Sequence, residues 1–235
     1  MRRRSLIKTA LLLVALLALS VGIVGSLLKQ EPEFYVRENA DGLRAEDPPQ
    51  SAKVVTRLNE LMGDMRASQK GEWSSTFTAE ELNAFFREGA SGTNPLTKAL
   101  VGDLPDPRIA IDDDRLRIAF RQGDNFWSTV VELELRMWLV KDQFNLVAVE
   151  IVGFRAGSLP LPKNWVLDDV ASAARRLSAD VNWYRKGDNP VALCKLYANQ
   201  SRPETQVSTL RIGDGSLSIG GRHTGQGAAD SPEIK

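Results

Sequence analysis

One cysteine and one histidine in 235 residues remove much chemistry before any pattern is read. Cys194 has no partner for an intramolecular disulfide, and a cysteine zinc cage is out of reach. With His223 alone, Ser-His-Asp, Cys-His and histidine-rich metal constellations are largely excluded. No G-x-S-x-G, P-loop or G-x-G-x-x-G motif occurs. Basic clusters are also missing once the first residues are passed. Of 30 Lys and Arg, four (Arg2, Arg3, Arg4 and Lys8) precede the first apolar run, leaving 26 against 30 Asp and Glu. A mildly acidic body without concentrated positive charge argues against nucleic acid as a partner.

What is present begins with "ALLLVALLALSVGIVGSLL", Ala10 to Leu28, which carries no charge. At about 1.5 Å per residue the run is roughly 28 Å long, close to a hydrocarbon thickness of about 30 Å. Positive charge lies before it, so the positive-inside rule puts the N-terminus in the cytoplasm and the rest outside. A cleaved signal peptide is the competing reading, yet its apolar region usually runs only about 7–15 residues. "RRSLIK" resembles a twin-arginine export signal, with Leu6 where that motif prefers Phe. We expect residues 1–28 to be a cytoplasmic stub and retained transmembrane signal anchor in the inner membrane, with the bilayer as partner through residues 10–28.

Residues 29–50, charged and broken by Pro32, Pro48 and Pro49, read as a linker. Residues 51–222 read as one extracytoplasmic α+β domain, and 223–235 as a disordered Gly-rich tail. Within the domain, Val54, Leu58, Leu61, Met62 and Met65 form a helical stripe. Thr78 with Glu81 makes a capping box, and Phe77 with Leu82 a hydrophobic staple, opening a helix whose Leu82, Phe85 and Phe86 face inward. A second short helix is expected in "PLTKALVG".

The period then falls to two. "RIAIDDDRLRIAFR" reads as a hairpin. Strands Trp127–Val140 and Leu146–Phe154 pair so that Leu135 faces Ile151, Met137 faces Val149 and Arg136 faces Glu150. Trp138, Val140, Leu146, Ala148, Val152 and Phe154 would share the second face, a candidate apolar groove that something must partly cover. "SLPLP" leaves the ladder because Pro160 and Pro162 lack N–H donors, and Pro162 can open a helix reaching Ser178. Strands at Val181–Arg185 and Val191–Tyr197 and a hairpin in "LRIGDGSLSIGGR" complete the domain. That last hairpin repeats the spacing of the first, Ile109 to Arg121. The fold class is therefore α+β: a transmembrane helix, then long, curved, mostly antiparallel strands packed on two or three helices.

Chemistry finds few footholds. Asp112-Asp113-Asp114 could attract a divalent cation, but calcium-loop spacing is absent and aspartate is a favoured turn residue. Glu132, Glu134 and Glu150 could form an acid/base cluster, although Arg136 engages Glu150 on this register and alternating acids usually mark a solvated face. The five tryptophans are spread along the domain, as packing residues are. No catalytic residue, cofactor or metal ligand is assigned.

The anchor followed by "PEFY", "WSSTFTAEELNAFF", "LPDPRIAI", "VAVEIVGFRAGSLPLP" and "VNWYRKGDNPVAL" resembles a group of uncharacterised single-pass bacterial envelope proteins. A helix wrapped by long curved strands is more remotely similar to tubular lipid-binding domains of the TULIP type. That resemblance implies a groove for acyl chains and carries over no individual residue. Two functions stay open: a tethered, non-enzymatic domain binding lipid or another apolar envelope component, and an envelope scaffold without a small ligand.

Overall fold

The computed structural model describes residues 2–42, 49–66, 71–90, 104–124, 128–176, 179–196 and 205–223. Helices α1 (Arg2–Leu28), α2 (Glu33–Gly42) and α3 (Pro49–Arg66) precede strand β1 (Glu72–Thr78) and helix α4 (Ala79–Ala90). Strands β2 (Arg108–Asp112), β3 (Arg115–Gln122), β4 (Thr129–Leu139), β5 (Leu146–Ala156) and the short β6 (Leu159–Pro160) follow. A 3-10 turn (Lys163–Val166) leads into α5 (Leu167–Arg176), and β7 (Asp180–Lys186), β8 (Asn189–Lys195), β9 (Thr205–Gly213) and β10 (Ser216–His223) end the described chain.

Every strand pairing is antiparallel. One sheet runs β2-β3-β4-β5-β8-β7, with β6 on the free stretch of β5, and a smaller sheet runs β1-β10-β9. The α+β class and antiparallel character expected from the sequence hold. Among the described residues no helix is long and apolar enough to cross a membrane; the side chains of α1 are described from Leu13 onward.

The large sheet has two unlike faces. One carries Ile109, Ile111, Leu116, Leu135 and Ile151, with Val166 of the 3-10 turn packed on them. Leu82 and Phe86 of α4, Leu167 and Val170 of α5, and Ile212 and Leu217 of the small sheet close in from above. At one end Val54 and Leu61 of α3 join Trp73, Phe77 and Phe85 in an adjoining core. The capping box forms: Thr78 N–H donates to Glu81 Oε2 and Glu81 N–H to Thr78 Oγ1, each at 3.1 Å.

Two buried asparagines fasten the layers. Asn83 on α4 donates to Ile109 O at 2.8 Å and accepts from Ile109 N–H at 2.7 Å, so a side-chain amide pairs with the free edge of β2. Asn145, at φ 55° in the β4–β5 turn, does the same for β9 through Thr205 O and Val207 N–H.

Three sequence expectations change. Residues 29–50 carry α2 and the start of α3, and Phe34 and Tyr35 are buried against Ala110, Ala119 and Val130 on the second face. Their aromatic bulk, adjacent rather than periodic, is what the linker reading passed over. The helix expected from Pro162 begins as the 3-10 turn, with Pro162 as its cap. The proline segment does not leave at once: Leu159 and Pro160 pair with Ala156 and Arg155, and Leu161 N–H donates to Phe154 O at 2.8 Å. On an edge, the donor Pro160 lacks breaks no ladder. The expected short helix at 95–102 and the tail after His223 lie outside the described residues, while His223 itself belongs to β10.

Candidate functional site

The β4–β5 register begins as the alternation predicts: Leu139 faces Val147, Met137 faces Val149, Arg136 faces Glu150 and Leu135 faces Ile151. A bulge then intervenes. Glu134 faces Gly153 and Leu133 faces Phe154, leaving Val152 unpaired. One inserted residue reverses the side on which every later residue points. Gly153 packs closely against Glu134 there: a Cβ at Gly153 would sit 2.9 Å from Glu134 Oε2.

Four of the six candidate groove residues stay together on the second face, and the bulge separates Phe154 from them. Trp138 and Ala148 are partners on the second face, and Val140 meets Leu146 at the strand ends. Phe154 belongs to the helix-covered face with Leu133 and Met137, and Val152 sits in the bulge. Ala148 and Leu146 are buried, and Trp138, Val140 and Val152 partly so. Lys186 lies over the Trp138 ring at 4.7 Å.

The rest of the second face is a charge lattice. Arg155 grips Glu132, 1% exposed, through Nε at 3.0 Å and Nη2 at 2.7 Å. Glu134 is held by Arg115. Arg136 bridges Asp114 at 2.6 Å and Glu150 at 3.5 Å. Burial alone would raise the Glu150 pKa, but the Asn189 amide, at 2.7 Å, with Lys186 and Arg136, holds it below the ordinary carboxylate value. Every carboxylate of the possible acid/base cluster thus has a cationic partner, an arrangement suited to structure more than to proton transfer. Arg117 lies 4.5 Å above the Phe34 ring, so α2 is pinned to this lattice.

The covered face holds a feature that sequence reasoning missed. Ile118, Leu133, Met137, Val149 and Phe154 on the central strands, and Trp183 on the edge strand β7, are only partly buried there. α4 and β9 pack over the β2–β4 side, while the 3-10 turn and α5 pack over β5, β8 and β7. Part of the apolar surface of those six side chains stays exposed beside this cover. The same alternation that marked the opposite face contained it, but nothing local distinguishes a fully covered strand face from a half-covered one.

At the far end of the sheet, the β2–β3 and β9–β10 turns touch: a Cβ at Gly213 would meet Asp113 O at 2.9 Å. The two hairpins of like spacing are neighbours in space. An open cleft of about 700 Å³ lies between them, lined by Ile111, Asp112, Asp113, Arg211, Ile212 and Asp214. Among the described residues no group of three or more His, Cys, Asp or Glu is arranged to hold a metal. Cys194 is buried, and its desolvation pushes the thiol pKa up, the opposite of an activated nucleophile.

Comparison of the chain with protein-family models, with curated proteins and with solved structures returns no match.

Proposed function

We propose that this chain is a membrane-tethered, non-enzymatic module facing away from the cytoplasm, whose partly exposed apolar strip takes an acyl chain or another apolar component of the envelope. The partly exposed apolar line through the middle strands is the observation that carries this reading, because core-facing residues of central strands are normally closed over. The tether is α1: Leu13, Val14, Leu16, Leu17, Leu19, Val21, Ile23 and Val24 are all exposed, a surface that water disfavours and hydrocarbon accepts. Neutralised carboxylates support the non-enzymatic part.

A scaffold without a small ligand is the second reading, favoured by the second face, where paired charges interrupt any apolar groove. Diazirine-bearing phospholipid in vesicles with the full chain separates the two. Adducts on peptides holding Met137, Val149 and Phe154 support the strip as a lipid site. Adducts confined to α1 would discard it and leave the scaffold.

A further inference from the structure

We propose that the sheet end around Thr129, Gly157 and Ser158 is a bilayer-contact surface to which α1 is clamped, so that the domain stands at a fixed angle and does not hang on a leash. The inference rests on α1 lying in the bilayer. The last carbonyls of a helix have no intrahelical donors, and at a membrane boundary they must find partners. Here Gln30 N–H reaches Leu27 O at 3.3 Å, and the sheet end supplies the shorter partners. Ser158 N–H donates to Leu27 O at 2.9 Å and Thr129 Oγ1 donates to Leu28 O at 2.6 Å.

Gly157 makes the approach feasible. Its φ is 56°, and a Cβ there would lie 2.3 Å from Leu27 O and 2.7 Å from Leu28 O. No other residue combines that backbone with that contact. The next residues leave no slack. Lys29 donates to Ser128 O at 3.3 Å, Arg121 pairs with Glu31 at 2.7 Å, and Phe34 and Tyr35, next but two along the chain, are buried. Lys29 also places positive charge where the dipole of α1 and lipid phosphate both favour it.

Orientation follows from strand direction. Exposed Lys29, Gln122 and Ser158 lie at the clamped end, with chemistry that suits phosphate and glycerol oxygens. β4 carries the chain away over 11 residues, about 36 Å at strand rise. Exposed Phe144 and the Asp112–Asp114 turn stand at that distant end, where acidic charge avoids the headgroups.

The full chain in vesicles containing nickel-chelating lipid tests this, with Cys194→Ala and a nitroxide at either Gln122→Cys or Phe144→Cys. Strong relaxation enhancement at residue 122 and little at 144 is expected. Gly157→Val should bring the two values together, and Thr129→Val should shift them the same way more weakly if the glycine variant fails to fold. Equal enhancement at both sites in an alkali-resistant chain would sink the contact surface alone; extraction by alkali would remove the anchor and this inference with it. Unchanged values in a folded Gly157→Val protein would sink the clamp.

Discussion

Asn83 shows how much of the assembly hangs on single side chains. It is fully buried and commits both ends of its amide to Ile109, the backbone edge that would otherwise be orphaned beneath α4. Asn83→Leu leaves that N–H and C=O unpaired, so equilibrium urea unfolding should show a loss of about 3 kcal/mol. The Glu132–Arg155 pair is unequal in a useful way. Glu132 is 1% exposed while the Arg155 side chain is 42% exposed, so only the arginine can rehydrate when left alone. Arg155→Met should cost about 2 kcal/mol by leaving the buried carboxylate only the longer Arg117 contact at 3.9 Å, and adding Glu132→Leu should recover part of it; a double variant worse than the single would contradict this account. Tyr35 offers a spectroscopic check. Burial, and then its hydrogen bond to Asp106 at 2.9 Å, push its pKa from 10.0 up to about 12. Because the folded value is the higher one, its stabilisation is complete below pH 10.0 and is lost as pH rises through about 12. One of the three tyrosines should therefore titrate late in phenolate absorbance, and Tyr35→Phe should abolish that late phase.

At the scale of elements, the local signals were the readable ones. The capping box at Thr78 and Glu81 forms as a reciprocal pair, and Thr78→Ala should cost about 1 kcal/mol in thermal or chemical unfolding. Both hairpins and the first half of the β4–β5 register follow from alternation, since a slip would drive charges into the core. The bulge was not readable. Ile151 and Val152 are adjacent apolar residues, so alternation does not say where the ladder moves by one; the one hint is Arg155, which unbroken alternation would turn to the helix-covered face and which the bulge sets opposite Glu132. The candidate groove loses Phe154 for that reason: Phe154 lies beyond the bulge and the other paired members before it. The β1–β10 pairing, joining Glu72 to Arg222 across most of the domain, has no local signature either. Long-range partners are chosen by which faces remain to be buried, and that is a property of the finished fold.

Across the whole molecule, α2 is the part whose role the sequence concealed. "EFYVREN" has the composition of a solvated connector, yet two adjacent aromatics anchor it: Phe34 beneath Arg117 and Tyr35 toward Asp106. A staged truncation distinguishes connector from component. A chain beginning at residue 29 loses α1 and the two hydrogen bonds it makes to Ser158 and Thr129, about 1 kcal/mol each. It should stay folded and leave the membrane fraction. A chain beginning at residue 43 also uncovers Ala110, Ala119 and Val130 and strips the stacking partner from Arg117. Losing two buried aromatic side chains, at about 1.5–3 kcal/mol each, should lower the melting temperature far more than the first cut and leave a surface that binds a hydrophobic dye. If both truncations melt together and neither binds dye, residues 29–42 contribute nothing to the core and the joint between α1 and the sheet is a leash after all.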